Sequence, residues 1–139
     1  MRRSRRRLLA AAAGIASTFL VPAATQAAYY GSETDYATPS GGPAGNYNCS
    51  TYTGVTACFK PDGDLMYVKD TKADGYDAVL EWFDADGERT GSCVNELSAG
   101  HWGVCDKNLP GGHLMYYDPA RYLGGNLVHR KPYVAWNMT

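Results

Sequence analysis

The sequence has 139 residues with 13 basic and 14 acidic side chains, which is enough for one domain of almost neutral charge. Five of the arginines lie within the first seven residues, and every acidic residue lies after residue 27. From residue 28 onward there are eight bases against fourteen acids, a formal charge of −6, without a basic cluster. Because binding to phosphates needs clustered Lys and Arg, this charge excludes nucleic acid and anionic membrane surfaces as expected partners.

Residues 1–27 have the pattern of a secretory signal peptide. The arginine-rich stretch Met1–Arg7 precedes an alanine-rich apolar run over residues 8–21, and small residues lead to a cleavage site after Ala27. The apolar run is shorter than the roughly 20 residues that a membrane-spanning helix needs. We therefore predict an exported, extracellular protein whose mature chain has no membrane span. The arginine pattern in Ser4–Leu9 fits twin-arginine export and general secretion equally.

Residues 28–48 combine glycine, proline and tyrosine with almost no aliphatic side chain. Within this segment, Pro39–Pro43 has the composition of a linker. We predict a flexible Gly/Pro/Tyr-rich arm over residues 28–48, followed by a single β domain over residues 49–139.

From residue 49 onward, short runs rich in β-branched and aromatic residues alternate with glycine-containing turns, and no window shows a helical period. In one such run the alternation assigns Ala78, Leu80 and Trp82 to the core, and Glu81 marks the opposite face as partly solvated. The pattern predicts an all-β fold, a small disulfide-bonded β-sandwich or small barrel. The expected strands are residues 56–59, 65–69, 77–83, 88–95, 101–106, 113–117, 126–129 and 133–138.

Four cysteines, all after residue 27, indicate two disulfide bonds in a small exported domain. Three pairings are possible. We favour Cys49–Cys58 and Cys93–Cys105, since each closes a short loop between adjacent predicted strands. Zinc is disfavoured because no pair has the Cys-x-x-Cys spacing.

Acidic turns raise the question of a calcium site. Asp84–Glu88 begins like a calcium loop, but position twelve of that loop is Asn95 and no helices flank it. The Asp-Gly turns at Asp62–Asp64 and Asp74–Gly75 would have to converge with it to hold an ion. Asp and Gly are also the residues that tight turns require, so we predict no metal and no cofactor.

No catalytic residue is predicted. The cysteines are expected to be paired, and Ser98 near His101 lacks the surroundings of an activated nucleophile. Glu81, Asp84 and Glu96 supply enough carboxylates for a glycosidase pair, yet any small acidic domain does so.

Aromatic residues are abundant, with 11 Tyr and 3 Trp. Flat exposed rings stack on sugars or anchor protein partners. We therefore predict a binding surface formed by Trp102, Tyr116, Tyr117 and Tyr122. The alternative is that these rings only stabilise strands.

Three stretches resemble a group of small secreted proteins found in Streptomyces and related actinobacteria. They are Thr56–Asp64, Val68–Trp82 and Cys93–Asp106, and the resemblance covers about residues 56–106. Members of that group are mostly described as uncharacterised. The likeness implies a host and an extracellular location, but it carries over neither an activity nor a catalytic residue.

The sequence thus predicts a secreted monomer that binds an extracellular protein or glycan without catalysis. Three alternatives stay open: an inhibitor of extracellular proteases or glycosidases, a carbohydrate or cell-wall binding module, and a weak hydrolase. The candidate inhibitor loop is Leu109–Gly112.

Overall fold

The computed structural model describes residues 28–132 and 134–137, with side chains up to residue 132, and the predicted signal peptide lies outside the described residues. The described residues form β-strands joined by turns, and none of them is helical. The strands are β1 Glu33–Tyr36, β2 Thr38–Ser40, β3 Asn48–Tyr52, β4 Val55–Lys60, β5 Leu65–Asp70, β6 Asp77–Asp84, β7 Arg89–Asn95, β8 Trp102–Asp106, β9 Leu114–Leu123, β10 Asn126–Arg130 and β11 Val134–Asn137.

The strands form two packed sheets, which confirms the predicted all-β class. The first sheet has the order β1-β7-β6-β9-β10, and β11 also pairs with β9. The second sheet has the order β2-β8-β5-β4-β3. Apart from the parallel pair β1 and β7, neighbouring strands are antiparallel. Among the described residues there is no apolar helix of membrane-spanning length.

The core lies between the inner faces of the two sheets. Ala78, Leu80 and Trp82 on β6 belong to it, as the alternation predicts. Glu81, on the outer face of the same strand, is also completely buried. The prediction that this outer face is partly solvated is therefore wrong at Glu81, because Arg130 on β10 and the segment before β1 cover it.

Residues 33–40, predicted as part of a flexible arm, form a strand on each sheet. β1 pairs with β7 and β2 pairs with β8, and Ala37 packs against the core where the chain crosses between the sheets. The backbones approach closely at two glycines: a Cβ on Gly91 would lie 2.6 Å from the Glu33 carbonyl oxygen, and one on Gly103 would lie 2.5 Å from the Ala37 Cβ. The predicted arm therefore needs correction over residues 33–40, where these strands complete one edge of each sheet.

Both disulfide bonds connect the pairs that the sequence favours. Cys49–Cys58 joins directly opposed residues of β3 and β4. Cys93–Cys105 instead links β7 in the first sheet to β8 in the second sheet. One bond thus braces an edge hairpin, and the other holds the two sheets together.

Candidate functional site

The predicted aromatic binding surface is not assembled. Tyr117 points into the core and is 1% exposed, and Tyr122 is 2% exposed. Tyr116 is half-buried on the outer face of the first sheet. Trp102 belongs to the second sheet and is half-buried. The four residues therefore cannot contact one ligand together.

Trp102 is packed against its own surroundings. The Lys69 ammonium lies 5.5 Å from the centroid of the indole ring, within range of a cation–π interaction. Gly42 approaches the indole so closely that a Cβ there would lie 2.8 Å from its Nε1. Part of the ring that a sugar would need is thus covered by the chain itself.

Two carboxylates that the sequence does not pair are brought together on the outer face of the first sheet. Glu81 on β6 and Asp118 on β9 are directly opposed in register, and both are 0% exposed. Arg130 on β10 donates to both oxygens of Glu81, from Nη2 at 2.8 Å and also from Nε, and the Tyr122 hydroxyl donates to Oε1. We call Glu81, Asp118, Tyr122 and Arg130 the buried carboxylate cluster.

Asp118 differs from Glu81, which is equally buried, in its hydrogen bonding. Neither of its oxygens accepts a hydrogen bond within the described part of the chain, and the Arg130 Nε lies 3.7 Å from Oδ2. Burial, the largest effect, and the neighbouring Glu81 charge raise the pKa of Asp118 to about 7, although Arg130 acts in the opposite direction. Burial, with the hydrogen bond to Glu81, also raises the pKa of Tyr122.

The segment before β1 covers this cluster. The Tyr30 ring lies 5.3 Å from the Arg130 guanidinium carbon, and its carbonyl accepts a 2.7 Å hydrogen bond from the Ser92 hydroxyl. The Tyr29 ring packs 5.0 Å from Tyr122, and its hydroxyl donates to Asp77 at 2.9 Å. These contacts explain why Glu81 is buried on a face that the sequence suggests is solvated.

A second charge cluster attaches β1 to the rest of the protein. The Arg89 guanidinium forms two parallel hydrogen bonds with Glu33, at 2.8 Å and 2.9 Å. The Lys107 ammonium bonds to Glu33 at 2.8 Å and to Asp35 at 2.6 Å. We call these four residues the β1 ion-pair network. The hydrogen bond from Arg89, assisted by Lys107, lowers the pKa of Glu33 to about 2 against the effect of burial.

Asp84 and His113 form a third polar contact, with the His113 Nδ1 at 2.9 Å and 3.0 Å from the two carboxylate oxygens. Asp84 Oδ1 also accepts from the backbone N–H groups of Asp86 and Gly87. Burial raises the pKa of Asp84, but the hydrogen bonds from His113 and Gly87 outweigh it, and the net shift is downward. This pair stabilises the β6–β7 turn.

The other candidate for catalysis, Ser98 with His101, lies within one exposed turn. The Ser98 hydroxyl is 3.1 Å from the His101 Nδ1, which is also 3.0 Å from the Ser98 carbonyl oxygen. Such a local contact orders the turn, and both side chains are exposed instead of being held in a cleft.

The three acidic turns do not meet. The turns at residues 61–64 and 85–88 lie at one end of the sandwich, and residues 71–76 lie at the other end, as the antiparallel order requires. Their carboxylates accept hydrogen bonds from backbone N–H groups, for example Asp64 from Leu109 at 3.0 Å and Asp74 from Tyr76 at 3.3 Å. In the described ranges, no three metal-binding side chains gather into a potential ion site. These carboxylates therefore hold backbone groups in place, Asp74 within its own turn and Asp64 on a distant segment.

The β9–β10 hairpin exposes apolar side chains. All five residues of β10 are exposed, and Leu123, Leu127 and Val128 are 54%, 44% and 36% exposed. Its turn consists of Gly124 and Gly125, whose φ angles of 55° and 76° suit a tight two-residue turn. The candidate inhibitor loop Leu109–Gly112, in contrast, does not present its leucine to solvent, because Leu109 is 5% exposed and belongs to the core.

Sequence reasoning missed Asp118 and Arg130. The predicted strand ends at residue 117, whereas β9 continues through Pro119 to Leu123, although proline is rare inside sheets. The alternation Tyr116, Asp118, Ala120, Tyr122 was the available signal. For Arg130, which binds a residue 49 positions away, the sequence contains no local signal.

Comparison of the chain with protein-family models, curated proteins and solved structures finds no match in any of the three.

Proposed function

We propose that this is an exported, non-catalytic protein that binds another protein through the β9–β10 hairpin. The observation that carries the proposal is that three of the five large exposed hydrophobic residues in the described part of the chain, Leu123, Leu127 and Val128, lie on this one hairpin. Several aliphatic side chains exposed on one hairpin are typical of a protein contact.

The two disulfide bonds support the extracellular part of the proposal, because such bonds persist in oxidising compartments. They also hold the sandwich rigid, which lowers the entropic cost of binding.

Two observations favour protein binding over the alternatives. The exposed cluster is aliphatic, whereas sugar stacking uses flat rings, and Trp102 is partly covered by Gly42. Glu81 and Asp118 lie opposite each other, as a pair of catalytic carboxylates would, but neither has exposed surface that a substrate could reach.

The test is a binding panel of purified extracellular proteases and glycosidases together with chitin, cellulose and peptidoglycan. We expect at least one protein of the panel to bind, and a Leu127→Asp/Val128→Asp variant to bind it at least about tenfold more weakly. Tyr36→Ser is the matched control, because Tyr36 is 57% exposed but lies on β1. Equal loss in both variants, or binding to a polysaccharide alone, would contradict the proposal.

A further inference from the structure

The buried carboxylate cluster has more negative than positive charge. Asp118 faces Glu81 from β6, Arg130 from β10 and Tyr122 from its own strand, and the Tyr30 ring lies over Arg130. The other basic groups of this region point elsewhere: the Lys131 ammonium donates to the Thr51 carbonyl, and His129 packs against Tyr52. Two buried carboxylates therefore share one partly exposed cation, and a single bound proton makes the cluster neutral.

The hydrogen bonds show which carboxylate has room for that proton. Glu81 accepts three hydrogen bonds, two from Arg130 and one from Tyr122, so both of its oxygens already have donors. Asp118 accepts none within the described residues and is fully buried. A protonated Asp118 can become a donor towards the adjacent Glu81, whereas an ionised Asp118 would be a buried charge without hydrogen bonds.

The groups that cover the cluster lie on an exposed strand and on a short segment outside the sheets. Arg130 belongs to β10, whose five residues are all exposed and whose pairing with β9 is interrupted by a bulge between Leu127 and His129. Tyr30 belongs to the short segment before β1. Elements with few buried contacts open at the lowest free-energy cost, so water can reach the two carboxylates most readily from this side.

We infer that the buried carboxylate cluster is a proton-operated latch: one proton held between Glu81 and Asp118 keeps β10 and Tyr29–Tyr30 closed over the first sheet, and loss of that proton loosens them. The opened state hydrates both carboxylates and leaves the disulfide-linked core intact. Mildly acidic conditions close the latch, and alkaline conditions open it. The device adds a pH response to the strand that carries Leu127 and Val128, and it operates without any partner.

The test is amide hydrogen exchange of the isolated protein, followed by NMR and expressed as protection factors so that intrinsic exchange rates cancel. If Asp118 titrates at its ordinary value in the open state, the protection of β10 amides should fall roughly tenfold between about pH 6 and about pH 8.5. Amides of β4 and β5, which are distant from the cluster, supply the reference and should change less.

Two variants separate the latch from other causes. Asp118→Asn mimics the protonated carboxyl and should abolish the extra loss of protection, which is the loss in β10 beyond that in β4 and β5. His129→Gln, on the same strand as Arg130, should retain this extra loss. The inference is overturned if the wild type shows no extra loss, if Asp118→Asn retains the loss, or if His129→Gln abolishes it. Should Asp118→Asn fail to fold, carbon-13 NMR titration of the wild-type Asp118 carboxyl decides: a midpoint above about pH 6 supports the latch and a lower one overturns it.

Discussion

The buried carboxylate cluster and the β1 ion-pair network each combine a glutamate, an aspartate and an arginine, with opposite results. The network sets two carboxylates against two cations and remains in contact with water, since the Glu33 side chain is 29% exposed. The cluster sets two fully buried carboxylates against Arg130 alone. The pKa of Glu33 is accordingly lowered to about 2, whereas that of Asp118 is raised to about 7. Charge balance and access to water, more than the residue types, decide which carboxylate stabilises the fold in its ionised form.

The largest expected effect is a decrease in the free energy of unfolding as the pH rises from acidic to neutral and above. Because the pKa of Asp118 is raised from 3.8 to about 7 in the folded state, its stabilisation is present at low pH and is lost as the pH rises through about 7. Chemical denaturation of the wild type from about pH 4 to about pH 8 should show a decline of up to about 4 kcal/mol in the free energy of unfolding. Asp118→Asn should flatten the decline, and an equal slope in that variant would refute this assignment.

Removal of the cation should have the next largest effect. Arg130→Met leaves Glu81 and Asp118 facing each other without a counterion, so we expect a loss of about 3 kcal/mol at about pH 8. Combining it with Glu81→Gln should recover part of this loss, since one buried charge is then removed. Urea denaturation measures both variants. If the double variant is less stable than Arg130→Met alone, the repulsion between the carboxylates is not the cause.

The β1 ion-pair network should respond at the acidic side of the range. Since the pKa of Glu33 is lowered from 4.5 to about 2, its contribution is present above about pH 4.5 and is lost as the pH falls towards 2. Because Glu33 is partly solvated, we expect only about 1–2 kcal/mol from it. Acid titration of the melting temperature should therefore show a shallower decline in Glu33→Gln than in the wild type. A decline of unchanged steepness would assign the acid sensitivity to other carboxylates.

The smallest effect should come from exchanging the type of cation. Arg89→Lys loses one of the two parallel hydrogen bonds to Glu33 but keeps the charge, so the stability should decrease by no more than about 1 kcal/mol. The matched Arg130→Lys variant should lose more stability, because the Arg130 guanidinium donates two hydrogen bonds to a fully buried carboxylate. Equal losses in the two variants would show that burial does not distinguish the clusters.

Sequence patterns within a few residues predicted the features that depend only on neighbouring residues. The alternation in β6 identified Leu80 and Trp82 as core, the Asp-Gly composition placed the β6–β7 turn, and short spacing favoured both disulfide pairs. The reason given for Cys93–Cys105 was nevertheless incomplete, because this bond joins the two sheets and not adjacent strands.

Features that depend on distant partners were not predicted. β1 is held by Arg89, which is 56 residues away from Glu33, while the segment that contains β1 is predicted as a flexible arm. Glu81 is buried because Arg130 and Tyr30 cover it, and neither is near it in the sequence. The candidate site was missed for the same reason: the pairing of Glu81 with Asp118 exists only once β9 is known to continue through Pro119.

The two strands near the start of the chain, β1 and β2, also limit how early in synthesis each sheet can be completed. A ribosome releases residues 33–40 early, but their partners are residues 91–94 on β7 and 102–104 on β8. β1 cannot pair until about residue 95 has emerged, and β2 cannot pair until about residue 106 has emerged, because these contacts are long-range. Until then the nascent chain exposes unpaired strands, which other chains can join. Newly made protein is thus most vulnerable to aggregation in the interval between the synthesis of β1 and the synthesis of β8.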